Sequence, residues 1–274
     1  MKNWKIHVLN LGNLIWDKGW STDGCDLNLQ IPVPFLAFLL DNGSKKILVD
    51  CGIHEKYFKD GKGYARLKTE GGSQYILKAL EAIAVKPSDV EMVLYTHLHN
   101  DHVGGCHLFP DSVHVFQEDE WKGLCTPNPR DWFIKGYDFD IIPLFRQLQC
   151  IRLEGDLEIE PGIKLYKTPG HSNGGQCVAV DTAKGTYVMT GDTAFFKCTL
   201  YPKMDRMTLM DGQEIKITPY ADAYAPAIPF GRPGLIRDYD AWYRSIHRMK
   251  LLIKGPEFAL TGHEPSLVLS RLFG

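Results

Sequence analysis

Apolar and polar positions divide this chain into short strand-like runs, three helical stretches and three long irregular ones. Residues 6–16 and 31–52 alternate or run apolar, and Asp41-Asn42-Gly43-Ser44 forms the turn between two strands. Residues 53–72 are polar and rich in glycine, which predicts a long loop near the mouth of a site. Ile76, Leu77, Leu80, Ile83 and Ala84 recur at helical spacing within residues 73–85, with Ser73 as the candidate N-cap. The runs 90–95, 113–116, 163–166, 186–189 and 258–260 have the length and composition of strands, and 118–124 that of a short helix. Trp242, Ile246, Met249 and Ile253 share one face of a helix over 237–253. Residues 125–150 hold Pro127, Pro129 and Pro143 with Trp132, Phe133, Tyr137, Phe139 and Phe145. That stretch is either a cap over a site or a packed excursion with its own small core. Residues 199–236 carry five further prolines, and their aromatics argue against disorder; they either wall a pocket or pack on another subunit. There is no internal repeat. The pattern by itself gives a mixed α/β class.

The strand-like runs end in chemistry. The run 90–95 leads into Thr96-His97-Leu98-His99-Asn100-Asp101-His102-Val103-Gly104-Gly105, three imidazoles and a carboxylate within six residues. Such groups bind borderline-soft divalent metals. His97 and His99 are two apart, so an extended backbone points both the same way. Asp101 and His102 follow as the chain turns, and ligands on both sides of a turn can face two metals. Thr168-Pro169-Gly170-His171-Ser172, Thr190-Gly191-Asp192-Thr193 and Thr261-Gly262-His263 then each follow a strand-like run. Each is a glycine-bearing turn with one metal-type ligand at its tip.

This pattern resembles the metallo-β-lactamase superfamily of binuclear metallohydrolases. The resemblance runs from the first hairpin to His263. Within the superfamily the chain is similar to the N-acyl homoserine lactonase group, through the hairpin ending Ile47-Leu48-Val49-Asp50-Cys51-Gly52 and through Gly231-Arg232-Pro233-Gly234-Leu235 with Asp240-Ala241-Trp242. The resemblance implies one domain over 1–274, an αββα sandwich of two packed mixed sheets with helices outside, and cap-like insertions at about 117–150 and 199–236. It assigns His97, His99 and His171 to one metal and Asp101, His102 and His263 to the second. Asp192 and a hydroxide then bridge the two ions, most simply Zn2+, with Fe, Mn or Co as alternatives. The implied reaction is attack of that hydroxide on a lactone carbonyl, with Asp101 or Asp192 relaying a proton. One departure stands out. The group commonly places a substrate-binding tyrosine three residues after the bridging aspartate, and here that position is Phe195, followed by Phe196. Tyr220 or Tyr224 are candidate replacements, His54 is a candidate pocket residue, and His107 a candidate neighbour of the ligands. Asp50 is a candidate to orient a ligand imidazole.

Composition narrows the alternatives. The 274 residues are 44% hydrophobic and 23% charged, enough for a core without staples. Net charge is −2 and no basic run occurs, which argues against nucleic acid as the partner. Seven cysteines without a CxxC fit reduced thiols in the cytoplasm. The N-terminal residues read as a first strand and not as a signal peptide, and no apolar run is long enough for a membrane helix. The expected partner is a small hydrophobic ester or lactone, and the aromatic loops are compatible with a homodimer. A thioester, amide or other ester substrate is the alternative within hydrolases. Iron-dependent redox chemistry, known in the superfamily, is disfavoured by a ligand set in which Asp101 is the one terminal carboxylate.

Overall fold

The computed structural model describes residues 4–63, 66–129, 131 and 136–274. Among the described residues, fifteen strands form two main sheets and one small hairpin. The first sheet contains β1 (Lys5–Asp17), β2 (Gln30–Asp41), β3 (Lys46–Val49), β4 (Thr69–Glu70), β5 (Met92–Leu94), β6 (Val113–Gln117) and β7 (Cys150–Leu153). The second contains β8 (Leu157–Glu160), β9 (Ile163–Lys167), β10 (Gln176–Thr182) and β11 (Gly185–Met189). The hairpin of β12 (Arg206–Thr208) and β13 (Glu214–Lys216) follows, then β14 (Ala259–Leu260) and β15 (Leu272–Phe273). Sheet order is β15-β1-β2-β3-β5-β6-β7, with β4 also on β1, and β14-β11-β10-β9-β8. The break near residue 154 falls where the sequence divides into two strand-rich halves. The return of β15 to β1 has no signal in the pattern.

Alternation explains the layering. In β2, Phe35, Ala37 and Leu39 join Ile76 and Leu80 of the helix Ser73–Glu81 in one core cluster. Leu36, Phe38 and Leu40 pack instead with Ile163, Leu165, Val178 and Val180 of the second sheet. Cys177 and Ala179, the other face of β10, meet Trp242, Ile246 and Met249 of the helix Tyr239–Leu252. The layers are therefore helix, sheet, sheet, helix. Both faces of β2 are covered, which is why residues 31–40 read as one continuous apolar run. Truncating a buried aromatic such as Trp242 would cost about 3–5 kcal/mol. Trp242 also reaches the ligand loops: its Nε1 donates to Thr193 O at 2.8 Å, and a Cβ on Gly170 would lie 2.4 Å from it.

Three local expectations need correction or comment. Ser73 is not the N-cap; the helix starts at Ser73, and Glu55 Oε2, from another segment, accepts from its N–H at 2.9 Å and its hydroxyl at 2.8 Å. In the 117–150 stretch, Tyr137 and Phe145 join the main core while Asp131 and Gly136 line the cavity. Trp132 and Phe133 lie outside the described residues. In the 199–236 stretch, Met207, Ile217 and Tyr220 are core residues and Leu235 lines the cavity.

Candidate metal centre

The ligand-type residues hang from the C-terminal ends of strands in both sheets: His97 and His99 after β5, His171 after β9, Asp192 after β11 and His263 after β14. Asp101 and His102 lie in the one-turn helix Asn100–Val103. The side chains converge in three overlapping groups, His97–His99–His171, His97–His102–Asp192 and Asp101–His102–His263, each with donor atoms within 4.8 Å of one another. Asp192 stands between two sides. Its Oδ2 is 3.4 Å from His171 Nε2 and 3.8 Å from His97 Nε2. Its Oδ1 is 3.2 Å from His263 Nε2 and 3.3 Å from His102 Nε2. Asp101 faces the second side, with Oδ2 3.8 Å from His263 Nε2 and Oδ1 4.0 Å from His102 Nε2. A side chain at Gly262 would meet Asp192 Oδ1 at 2.6 Å, so the glycine of that turn makes room for the carboxylate.

The hydrogen bonds behind the cluster set its tautomers. His102 Nδ1 donates to Asp50 Oδ2 at 2.9 Å, His171 Nδ1 to Leu235 O at 2.7 Å and His263 Nδ1 to Pro34 O at 2.9 Å. His97 Nδ1 faces Thr96 Oγ1 at 3.1 Å, and that hydroxyl gives its own proton to Asp50 Oδ2 at 2.7 Å. A ring protonated on its far nitrogen turns a lone pair inward. Inward atoms then crowd: His99 Nδ1 lies 3.1 Å from His97 Nε2 and 2.9 Å from His171 Nε2. His102 Nε2 and Asp192 Oδ1 are buried and have no hydrogen-bond partner. Converging lone pairs and orphaned acceptors in a dry site are what a cation satisfies, so the residues fit divalent metal.

The electrostatics divide the imidazoles into two sets. Burial, with the neighbouring imidazoles, holds His97 and His99 well below the usual histidine range, and burial lowers His171. Burial pushes His102 and His263 the same way, but Asp192 overrides it and raises both. Burial would raise the Asp192 carboxyl; His263, His102 and His171 instead hold it well below the carboxylate range.

Glu120, fully buried in the helix Glu118–Cys125, ties the ligand loops of the two sheets together. It accepts from Leu98 N at 3.0 Å and from Gly174 N at 2.7 Å. Gly174 is needed there, because a Cβ would sit 2.5 Å from Glu120 N.

A cavity of about 760 Å³ opens over the cluster, with His99, Asp101, His171, Asp192 and His263 in its wall. Leu14, Trp16, Trp20, Val33, Phe195 and Leu235 give it apolar surface, and Lys56, Tyr57, Asp131 and Arg237 give it polar groups. Phe195 stacks on His263 (5.2 Å between centroids) and meets His171 edge-on at 5.5 Å. The other candidate pocket residues lie elsewhere. Phe196 is fully buried in the core. Tyr220 is buried with its hydroxyl on Arg232 O, and the exposed Tyr224 donates to Asp23 O. His54 is not in the cavity wall; it caps the turn Glu55–Tyr57 through Lys56 N and packs beside His107, whose ring faces Ser73 and not the ligands. Asp50 does reach a ligand imidazole, that of His102. Sequence reasoning missed Glu120, Thr96, Lys56, Tyr57, Asp131 and Arg237. The last two lie in the stretches flagged as insertions or just after one; Lys56 and Tyr57 lie in the loop placed near the mouth.

Ligand loops gathered at one end of a two-sheet sandwich define the class. Residues 32–213 match the metallo-beta-lactamase superfamily, and the chain belongs to it. More particularly, it is similar to N-acyl homoserine lactonases. It is 30% identical over 204 residues to the one from Bacillus cereus, spanning 70% of this chain and 77% of that protein. It is 26% identical over 204 residues, with the same coverage, to N-acyl homoserine lactonase AiiA of Bacillus thuringiensis subsp. kurstaki. The fold superposes on a B. thuringiensis AiiA variant crystallised with N-decanoyl-L-homoserine at its active site, with TM-score 0.74 and 21% identity over 98% of this chain and 97% of that one.

Proposed function

We propose that this chain is a binuclear, zinc-dependent hydrolase that opens an acyl homoserine lactone or a similar hydrophobic lactone. One observation carries the reading: Asp192 presents one oxygen to each of two ligand groups at the floor of a partly apolar cavity. The relatives named above, lactonases by name, support the substrate class. His97, His99 and His171 would hold one ion and Asp101, His102 and His263 the other, with Asp192 between them. Two such ions supply water of lowered pKa at neutral pH and a Lewis acid for the carbonyl. The chain's own residues do the rest. Asp50, Thr96, Leu235 and Pro34 fix the imidazoles so that no proton faces the reacting centre. Both carboxylates face the cavity, but the Asp192 side chain is 4% exposed and wedged between imidazoles, whereas Asp101 is 19% exposed. Asp101 is therefore the carboxylate that accepts the proton of the water as its oxygen bonds to the acyl carbon, and returns it to the ring oxygen as the bond between that carbon and the ring oxygen breaks. Trp16, Trp20 and Phe195 keep the acyl arm out of water.

The absence of a phenol at Phe195 favours one second reading, a thioester, amide or other ester on the same centre. The test is hydrolysis of a panel of acyl homoserine lactones, simple γ- and δ-lactones, aryl esters and thioesters by metal-replete and chelated protein. Chelator-sensitive lactone opening is the expected result. Turnover of esters or thioesters without lactones would discard the lactonase reading. No helix among the described residues is long and apolar enough to cross a membrane, and all seven thiols are free, which supports a reducing compartment such as the cytoplasm.

A further inference from the structure

Two cationic side chains line the cavity among the described residues, and each arrives with carboxylates. Lys56 Nζ lies 2.7 Å from Asp138 and 2.8 Å from Asp140. Arg237 Nη1 donates to Asp131 Oδ2 at 3.1 Å, and the two side chains are 20% and 4% exposed. Neither cation is a bare charge, but they differ in donors left over. An ammonium has three N–H groups and a guanidinium five. Lys56 commits two of its three. Arg237 gives one to Asp131, its side-chain partner among the described residues, and the guanidinium stands at the cavity wall. The Tyr57 hydroxyl is engaged by Asp138 and Asn100, and Phe195 has no donor.

The segment that carries Arg237 is firmly placed. Arg237 N and Asp238 N both donate to Gly170 O, at 2.8 and 2.9 Å, and Leu235 O receives His171 Nδ1. The guanidinium thus rides on the same few residues that orient a ligand imidazole. It shares the cavity wall with His99 and His171.

We propose that Arg237, held by Asp131, is the specificity-determining donor that binds an uncharged carbonyl oxygen on the substrate's acyl arm, outside the ester that is cut. The assignment rests on the reading of this cavity as the substrate site. The Arg237–Asp131 pair is neutral overall, and Asp131 would repel a substrate carboxylate at that spot. A ketone or amide oxygen asks only for the N–H. A pure hydrocarbon arm would leave the fork facing an apolar group, at a desolvation cost.

The test is isothermal titration of the metal-loaded protein with 2-nonanone and with octanoate, which share one tail and differ in a methyl against a charged oxygen. Arg237→Met is expected to weaken the ketone about 10- to 100-fold and to leave octanoate within about threefold. Because the single change strands a buried carboxylate, Asp131→Asn with Arg237→Met is measured beside it and should give the same loss. Unchanged ketone affinity in a folded variant, or a larger loss for octanoate than for the ketone, overturns the assignment. Neither probe is hydrolysed, so a wild type that opens no lactone would remove the lactonase reading while ketone binding still decides Arg237.

Discussion

Asp50→Asn separates the support of a ligand from the ligand itself. Asp50 adopts φ 58°, and asparagine tolerates that left-handed backbone, so the main chain is not strained by the change. One oxygen persists and still accepts from Thr96 N, now at 2.8 Å. The new amide group replaces Oδ2, which accepts from Thr96 Oγ1 at 2.7 Å and from His102 Nδ1 at 2.9 Å. An amide N–H cannot accept a proton from an imidazole N–H. The His102 proton is driven to Nε2, the atom 3.3 Å from Asp192 that must face the metal as a lone pair. Loss of such an orienting carboxylate costs about 10- to 100-fold in metal affinity. At about 1.4 kcal/mol per tenfold, that is ~1.4–2.8 kcal/mol. Zinc affinity is read by competition with a chromogenic chelator, beside circular dichroism to establish folding and kcat/KM on the best lactone. A folded Asn variant with wild-type zinc affinity would refute the tautomer argument.

Three further outcomes are expected. Asp192→Asn or His263→Ala should leave the protein folded and abolish hydrolysis, and turnover in a folded Asp192→Asn protein would exclude the bridging role. Phe195→Tyr should raise activity on acyl homoserine lactones, since the ring already stacks on His263 at the cavity wall; an unchanged substrate profile would mean the added hydroxyl misses the substrate. Slight burial pushes the Glu55 carboxyl up, but hydrogen bonds from Ser73 bring it to about 2 against an ordinary 4.5. Its folded value is the lower one, so its contribution is full above about pH 4.5 and is lost as pH falls from 4.5 towards 2. Glu55→Gln should lower stability at pH 7 by ~0.5–1 kcal/mol and flatten the acid side of the profile in denaturant titrations; parallel wild-type and variant profiles would count against it.

The metal-type residues were legible because each closes a strand-like run with a glycine turn, a purely local signature. The layer order was not local, and needed the family resemblance. Phe195, three residues after Asp192, lines the cavity, and its neighbour does not. Phe196 points the other way along the extended chain and enters the core. Tyr220 and Tyr224 were suggested by chemistry alone, and their hydroxyls instead bind backbone carbonyls, those of Arg232 and Asp23. Glu120 and the Arg237–Asp131 pair join segments more than fifty residues apart, and no period in the sequence reports such a meeting.

The Glu120 clasp also sets an order of events. The first sheet's loop supplies His97, His99, Asp101 and His102, but its Leu98 amide is anchored by a carboxylate that simultaneously holds Gly174 of the second. A growing chain therefore carries four ligand side chains long before it carries a cage. His263 is translated after the other six. If these residues hold metal as proposed, the full set is complete only when the two sheets have closed on each other, and protein made without the metal should accept it afterwards without unfolding.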